Sequence, residues 1–195
     1  MLLLLLSGCQ DVEDDHDHDH EHEVMTTITL TFSPESGGDD LVFSWADPED
    51  DGSPVIDDIM LADGENYDVA MSVFNELEEP AEEVTPEILD EADQHQVFFT
   101  GSAVQGPATG MNASAVVEHE YADQDEGELP LGLSNRIDAQ LGTGSGELIV
   151  TLRHMPPESG EAVKVAGLAE DVAEGGFGSI GGANDIQVTF PLTVE

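Results

Sequence analysis

Four histidines alternate with carboxylates near the N-terminus of the sequence. The run from Asp15 to Glu23 reads D-H-D-H-D-H-E-H-E. In an extended chain, residues two apart share a side, so the imidazoles line one edge and the carboxylates the other. Imidazole binds zinc, copper and nickel, so the run predicts flexible, unselective chelation of such ions. The predicted ligands are His16, Asp17, His18, Asp19, His20 and His22. The alternative is a solvated or pH-responsive spacer, because the run has no apolar residue to pack.

An acidic loop further along has the ligand spacing of a calcium-binding loop. Counted from Asp47, carboxylates occupy positions 1, 3, 5 and 12, and a glycine occupies position 6, which are the offsets of an EF-hand loop. The candidate calcium ligands are Asp47, Glu49, Asp51 and Asp58. No amphipathic helix flanks them, so we expect a calcium loop between strands, with a chance match as the alternative. The segment 123–128 (DQDEGE) is a poorer candidate, and a solvated hairpin turn is its alternative.

Three further histidines lie in the body of the chain, at His95, His119 and His154. Each falls at the end of a different predicted strand. Three imidazoles bind one zinc ion if those strand ends meet in space. The alternative is that each is a separate residue at a strand boundary.

The charge balance excludes several functions. Asp and Glu number 44 against 3 Lys and Arg, and the formal net charge is -41. A surface this negative repels phosphate backbones, so we expect no nucleic-acid partner. The imbalance is similar to the acidity of proteins from salt-in halophiles. Acidity alone therefore does not indicate an ion site.

Signatures of catalysis are weak. The segment 176–181 fits G-x-G-x-x-G, but no strong strand precedes it and its acidic surroundings would repel a pyrophosphate, so we expect a flexible loop. No nucleophile elbow is present, and carboxylates are too numerous to single out a catalytic pair. We expect a protein that is not an enzyme, with no catalytic residues and no organic cofactor.

The first residues have the pattern of a bacterial lipoprotein signal. Leu6-Ser7-Gly8-Cys9 follows a leucine run and matches the lipobox, and Cys9 is the only cysteine. The pattern predicts lipidation of Cys9 and a lipid-anchored protein of the outer membrane, on the cell surface or the periplasmic face. The acidic run after Cys9 resembles the tether that directs Bacteroidetes lipoproteins to the cell surface. Because the apolar run is short, we expect residues 1–8 to be a truncated signal segment and the start codon to lie upstream.

Beyond residue 23 the pattern changes to short β-strands separated by Gly-, Pro- and Asp-rich turns. The predicted strands are 24–32, 41–45, 67–74, 96–100, 113–121, 147–154 and 186–194. This pattern is typical of an antiparallel β-sandwich, immunoglobulin-like or jelly-roll-like. Thr85 followed by Pro86 predicts one short helix over 86–94, and a second helical turn is expected near 163–172. We therefore expect a disordered tether over 9–23 and a single sandwich domain over 24–195.

Several segments resemble a known family. They are FSWADPEDDG (43–52), EEVTPEI (82–88), DQHQVFF (93–99) and TLRHMP (151–156). They resemble an uncharacterised lipoprotein family of marine and flavobacterial Bacteroidetes. The resemblance covers nearly all of the chain beyond residue 23. Such proteins are sometimes assigned to the type 1 periplasmic-binding fold. That fold needs two α/β lobes, so the strand-rich pattern here favours a sandwich instead. The resemblance implies no particular activity.

Two functional hypotheses follow from the sequence. The first is a non-catalytic envelope protein with an outer-membrane transporter as a partner. It binds zinc-, copper- or nickel-type ions through residues 15–23, which we call the His/Asp arm, and calcium through the acidic loop that begins at Asp47. The second is an adhesion or interaction module whose arm is only a spacer. Deletion of residues 15–23 distinguishes them, because only the first predicts a loss of transition-metal affinity.

Overall fold

The strands of this protein combine β-branched and aromatic residues with alternating burial. In β5, for example, Tyr67, Val69, Met71 and Val73 are buried whereas the residues between them are more exposed. Such alternation is expected when one face of a strand packs on a core. The computed structural model describes residues 24–195. The strands are β1 (Thr27–Pro34), β2 (Leu41–Ala46), β3 (Val55–Ile56), β4 (Ile59–Leu61), β5 (Asn66–Asn75), β6 (Glu82–Glu83), β7 (His95–Thr100), β8 (Val104–Gln105), β9 (Val117–Tyr121), β10 (Ser134–Asp138), β11 (Gly144–His154) and β12 (Ala183–Val194).

These strands form two sheets. The larger sheet has the order β3-β2-β1-β5-β10-β9-β8, with β6 added beside β5, and the smaller has the order β4-β12-β11-β7. Most neighbours are antiparallel, and the pairs β4–β12 and β8–β9 are parallel. Both sheets contribute buried side chains to one main core, which includes Leu30 and Met71 from the larger sheet and Val150 and Phe190 from the smaller. The mostly β sandwich predicted from the sequence is confirmed.

Two helices and a short 3-10 turn complete the fold. Helix α1 spans Thr85–Asp90, α2 spans Leu168–Gly175 and the 3-10 turn spans Phe177–Ser179. Helix α2 and the 3-10 turn belong to a second apolar cluster around Phe98 of β7. Because side chains alternate along a strand, Phe98 points away from Val97 and Phe99, which belong to the main core. The second cluster therefore lies on the outer face of the smaller sheet.

The first helix differs from its prediction in two ways. It ends at Asp90 rather than Gln94, and residues 91–94 form turns. Thr85 is also not its N-cap: the cap residue is Val84, with no capping side chain. The Thr85 hydroxyl instead accepts a hydrogen bond from the backbone N–H of Val73, at 2.8 Å. The threonine therefore attaches the helix to β5 rather than closing its first turn.

Candidate metal centre

His95 and His154 lie side by side at one end of the smaller sheet. His95 is the first residue of β7, His154 is the last residue of β11, and the two are direct partners in the antiparallel register. Their rings stack with centroids 4.5 Å apart and planes 12° from parallel. Their strands alternate so that both rings share a face with core residues such as Val97 and Leu152. The pairing of β7 with β11 thus brings together two imidazole side chains that are 59 residues apart in the sequence.

Glu91 adds a carboxylate to this pair. It lies in the turn between α1 and β7, and its Oε2 is 4.0 Å from His154 Nε2. The turn is held in place because Gln94 accepts a hydrogen bond from the Met155 N–H, at 2.6 Å. One ligand atom from each of Glu91, His95 and His154 lies within 4.8 Å of the other two. We call these three residues the Glu-His-His cluster, and the cluster could hold a metal ion.

The ring of His95 is oriented by the backbone. Its Nδ1 is 3.1 Å from the carbonyl oxygen of Glu91. A carbonyl only accepts, so Nδ1 carries the proton and the lone pair of the neutral ring is on Nε2. Burial, with a further contribution from the nearby His154 ring, lowers the pKa of His95 to about 4. His95 is therefore neutral near pH 7, which is the form that binds metals, and a backbone hydrogen bond to the other nitrogen is the usual support of such a ligand.

The cluster opens to solvent on one side. The His95 side chain is nearly inaccessible, whereas those of His154 and Glu91 are 20% and 51% exposed. Tetrahedral zinc with bonds of about 2.0 Å holds its ligand atoms about 3.3 Å apart. Glu91 Oε2 and His154 Nε2 are 4.0 Å apart, and the rings of His95 and His154 are nearly parallel. The imidazole of His154 as well as the carboxylate of Glu91 must therefore shift for one ion to bind all three residues. The exposed side gives an ion access from solvent to the cluster.

The third predicted histidine is not part of this cluster. His119 lies inside β9 rather than at its end, and it is 1% exposed. Its ring stacks on Phe99, at 4.5 Å between centroids. Phe99 is four residues along β7 from His95, a distance of about 13 Å at the usual rise of a strand. The prediction of convergence is therefore wrong for His119 and right for the other two histidines.

His119 is instead a neutral residue of the core. Asn135 donates its amide to the Gly132 carbonyl, so its Oδ1 accepts from His119 Nε2, at 2.9 Å. His119 Nδ1 has no hydrogen-bond partner among the described residues. A proton there would be buried without an acceptor. Burial accordingly lowers the pKa of His119 to about 4, against a smaller opposing effect of Asn135.

This burial predicts a specific loss of stability in acid. Below pH 6.5 the unfolded chain protonates His119, whereas the folded chain does not until about pH 4, so the free energy of unfolding falls across that window. The full loss from this residue is about 3 kcal/mol. His119→Gln should remove that part of the pH dependence, measured by urea unfolding at both ends of the window with chelator present. Val117→Ala, a core change two residues away, should lower the free energy of unfolding by the same amount at both pH values. An unchanged pH dependence in His119→Gln would contradict the assignment of this effect to His119.

The acidic loop after β2 is organised by its first carboxylate. Asp47 is buried, and its two oxygens accept hydrogen bonds from the N–H groups of Asp51 and Gly52 at 3.2 and 2.8 Å. Glu49, Asp51 and Asp58 are exposed. Within residues 24–195 the four predicted ligands do not form a group of converging ligand atoms. The structure thus uses Asp47 to close a turn, and calcium binding by this loop stays a prediction.

The second acidic loop is closed by protein groups. Asp123 accepts from the N–H groups of Gly132 and Ser134, at 2.6 and 2.8 Å. Asp125 Oδ2 is 2.8 Å from Lys164 Nζ, and both side chains are almost fully buried. Burial opposes ionisation of Asp125, but hydrogen bonds from Lys164 and two backbone amides outweigh it and keep its pKa below the usual value. These carboxylates therefore have structural partners.

Two groups of predicted residues lie outside the part of the chain that the structure describes. They are the lipidation site Cys9 and the six ligands of the arm, His16, Asp17, His18, Asp19, His20 and His22. Both predictions rest on the sequence alone.

Glu91 is the cluster residue that the sequence did not identify. It lies inside the segment predicted as helix, where a carboxylate is an ordinary solvated residue. The available signal was its spacing, four residues before His95. The stretch 90–99, DEADQHQVFF, contains two other carboxylates, so spacing alone could not select Glu91.

The comparisons with known proteins provide no relative for this chain: no family model, no curated protein and no solved structure matches it. None of the helices within residues 24–195 is long and apolar enough to span a membrane.

Proposed function

We propose that this protein is a non-catalytic, lipid-anchored binding protein of the bacterial cell envelope that holds a divalent transition metal at the Glu-His-His cluster. The observation that carries the proposal is the pairing of His95 with His154 beside the Glu91 carboxylate. Two imidazoles and a carboxylate are a preferred ligand set of zinc and are also compatible with copper and nickel. They are a poor set for calcium, which prefers oxygen ligands alone.

The wider charge distribution supports capture of a cation. With a formal net charge of -41, the surface attracts divalent cations and raises their local concentration, an effect that weakens as salt rises. The His/Asp arm would add loosely held ions, and the Glu-His-His cluster would retain one ion per chain with higher affinity. Anchoring through Cys9 would keep this capacity at the membrane surface, where an outer-membrane transporter is a suitable partner.

The proposal is tested on the full chain after the metal-binding side chains of the His/Asp arm have been removed. His16, His18, His20 and His22 are replaced by asparagine, and zinc is titrated calorimetrically at high ionic strength. We expect one site per chain with micromolar or tighter affinity. Adding His95→Gln with His154→Gln should weaken binding at least about 100-fold, because two of three ligands are lost.

His119→Gln is the matched control for this experiment. It removes a buried imidazole outside the cluster, so zinc affinity should stay within about twofold, well under the 1.4 kcal/mol that corresponds to a tenfold change. Equal zinc binding with and without His95 and His154 would rule out the cluster as the site. If the unmodified arm also binds nothing, the protein is better explained as an interaction module with a spacer.

A further inference from the structure

A β-bulge places one more carboxylate beside the metal cluster. In the ladder between β11 and β12, Leu152 pairs with Ile186 and Arg153 pairs with Asn184, so Asp185 is the residue inserted at the bulge. A bulge interrupts the regular alternation of side chains and redirects the inserted residue, and such bulges are frequent beside functional sites. The register shift therefore determines where the Asp185 carboxylate points.

That carboxylate faces the metal-binding nitrogen of His95. Asp185 Oδ2 is 3.7 Å from His95 Nε2, and the Asp185 side chain is only 10% exposed. Because His95 Nδ1 donates to the Glu91 carbonyl, Nε2 is the ring nitrogen that a metal ion would bind. The Asp185 carboxylate and this nitrogen are separated by slightly more than a hydrogen bond. A cation between them would be favourable to both, and zinc bonds of about 2 Å fit a modest closure of this gap.

The bulge is held in place from its other side. Arg153 donates from Nη1 to Asn184 Oδ1, at 2.7 Å, and from its other nitrogens to the carbonyls of Gly181 and Gly182, at 2.6 and 2.8 Å. Asn184 is the residue before Asp185. The backbone that presents the carboxylate is therefore fixed by a buried guanidinium, which lowers the entropic cost of ligation.

We propose that Asp185 is the fourth metal ligand, which completes a set of two imidazoles and two carboxylates with Glu91, His95 and His154. The proposal rests on the metal-binding function above and specifies its ligand class. Four protein ligands fill a tetrahedral zinc site, so the ion is held without the open position that zinc catalysis requires. The mixed nitrogen and oxygen set, without thiolate, favours zinc and cobalt(II) over copper(I), and the imidazoles disfavour calcium and magnesium.

Cobalt(II) tests this geometry in the full chain with the four arm histidines replaced by asparagine. Four-coordinate cobalt(II) absorbs visible light much more strongly than six-coordinate cobalt(II). The parent chain should therefore give intense visible bands on titration. Asp185→Asn should weaken zinc binding about 10–100-fold in competition with a chelator and should reduce the cobalt absorption. Asp185→Glu, which keeps a carboxylate, should recover part of both.

Asp90→Asn is the matched control, because it removes one exposed negative charge next to the Glu-His-His cluster from the end of α1. It should leave the cobalt spectrum unchanged. Circular dichroism of each variant confirms that it is folded. If Asp185→Asn and Asp90→Asn behave alike while the His95 and His154 substitutions abolish binding, Asp185 is not a ligand and the three-residue site remains. If the parent chain binds neither zinc nor cobalt, the proposed function itself fails.

Discussion

Replacing Lys164 with methionine is expected to lower the free energy of unfolding by about 3–5 kcal/mol, because a buried carboxylate loses its cation. Lys164 Nζ lies 2.8 Å from Asp125 Oδ2, and the two side chains are 0% and 3% exposed. The same nitrogen donates to the Ala92 carbonyl, at 2.7 Å. Methionine occupies a similar volume but donates nothing. Urea unfolding at high ionic strength, with chelator present, measures the effect.

Arg136 provides a control with the same change in net charge. It pairs with Glu35 and Asp138 at 2.8 and 3.0 Å, but its side chain is 36% exposed. Arg136→Met should therefore cost no more than about 1 kcal/mol. Adding Asp125→Asn to Lys164→Met should recover part of the loss, because it removes the uncompensated charge while keeping an acceptor for the loop amides. If Lys164→Met and Arg136→Met lower the free energy of unfolding equally, the buried Lys164–Asp125 pair does not provide the expected stability.

The second large effect is expected at Arg153, whose guanidinium organises the loop before β12. It donates to the Asn184 side chain and to the backbone carbonyls of Phe177, Ile180, Gly181 and Gly182. Arg153→Met would leave these oxygens without their donor, and we expect a loss of at least about 3 kcal/mol in the free energy of unfolding.

Lysine should replace Arg153 only in part. A single ammonium cannot reproduce the planar arrangement of donors that serves several oxygens at once. Arg153→Lys should therefore fall between wild type and Arg153→Met in urea unfolding, and both variants should bind zinc less tightly because Asn184 positions the bulge. Arg136→Lys, on the exposed side of the protein, is the control and should be close to neutral. Wild-type stability and zinc affinity in Arg153→Lys would contradict this role.

The sequence predicted the long strands well because alternation and β-branched residues report directly on a half-buried strand. The prediction for 67–74 differs from β5 by one residue at each end. Very short strands such as β3 and β8 were missed, because two residues carry no periodicity. Strand β10 was missed because its Asn and Arg residues conceal the alternation, although Asn135 and Ile137 are buried.

The candidate site was only partly predictable for a different reason. Residue type identified His95 and His154, but their meeting depends on which strands pair and in what register, which is a tertiary property. The bulge at Asp185 depends on that same register and left no local signal. His119 illustrates the converse, because an imidazole on an apolar strand face can belong to the core as readily as to a site.

The position of β1 has a mechanical consequence. The N-terminal segment leads into a strand that is paired on both sides, with β2 along Thr27–Phe32 and with β5 along Thr27–Pro34. In a chain held by its N-terminus, tension enters the larger sheet through this internal strand. Both ladders must then break together, whereas a strand at the edge would peel away from one neighbour. The architecture is therefore suited to bear a load at the end of the chain that carries the proposed anchor.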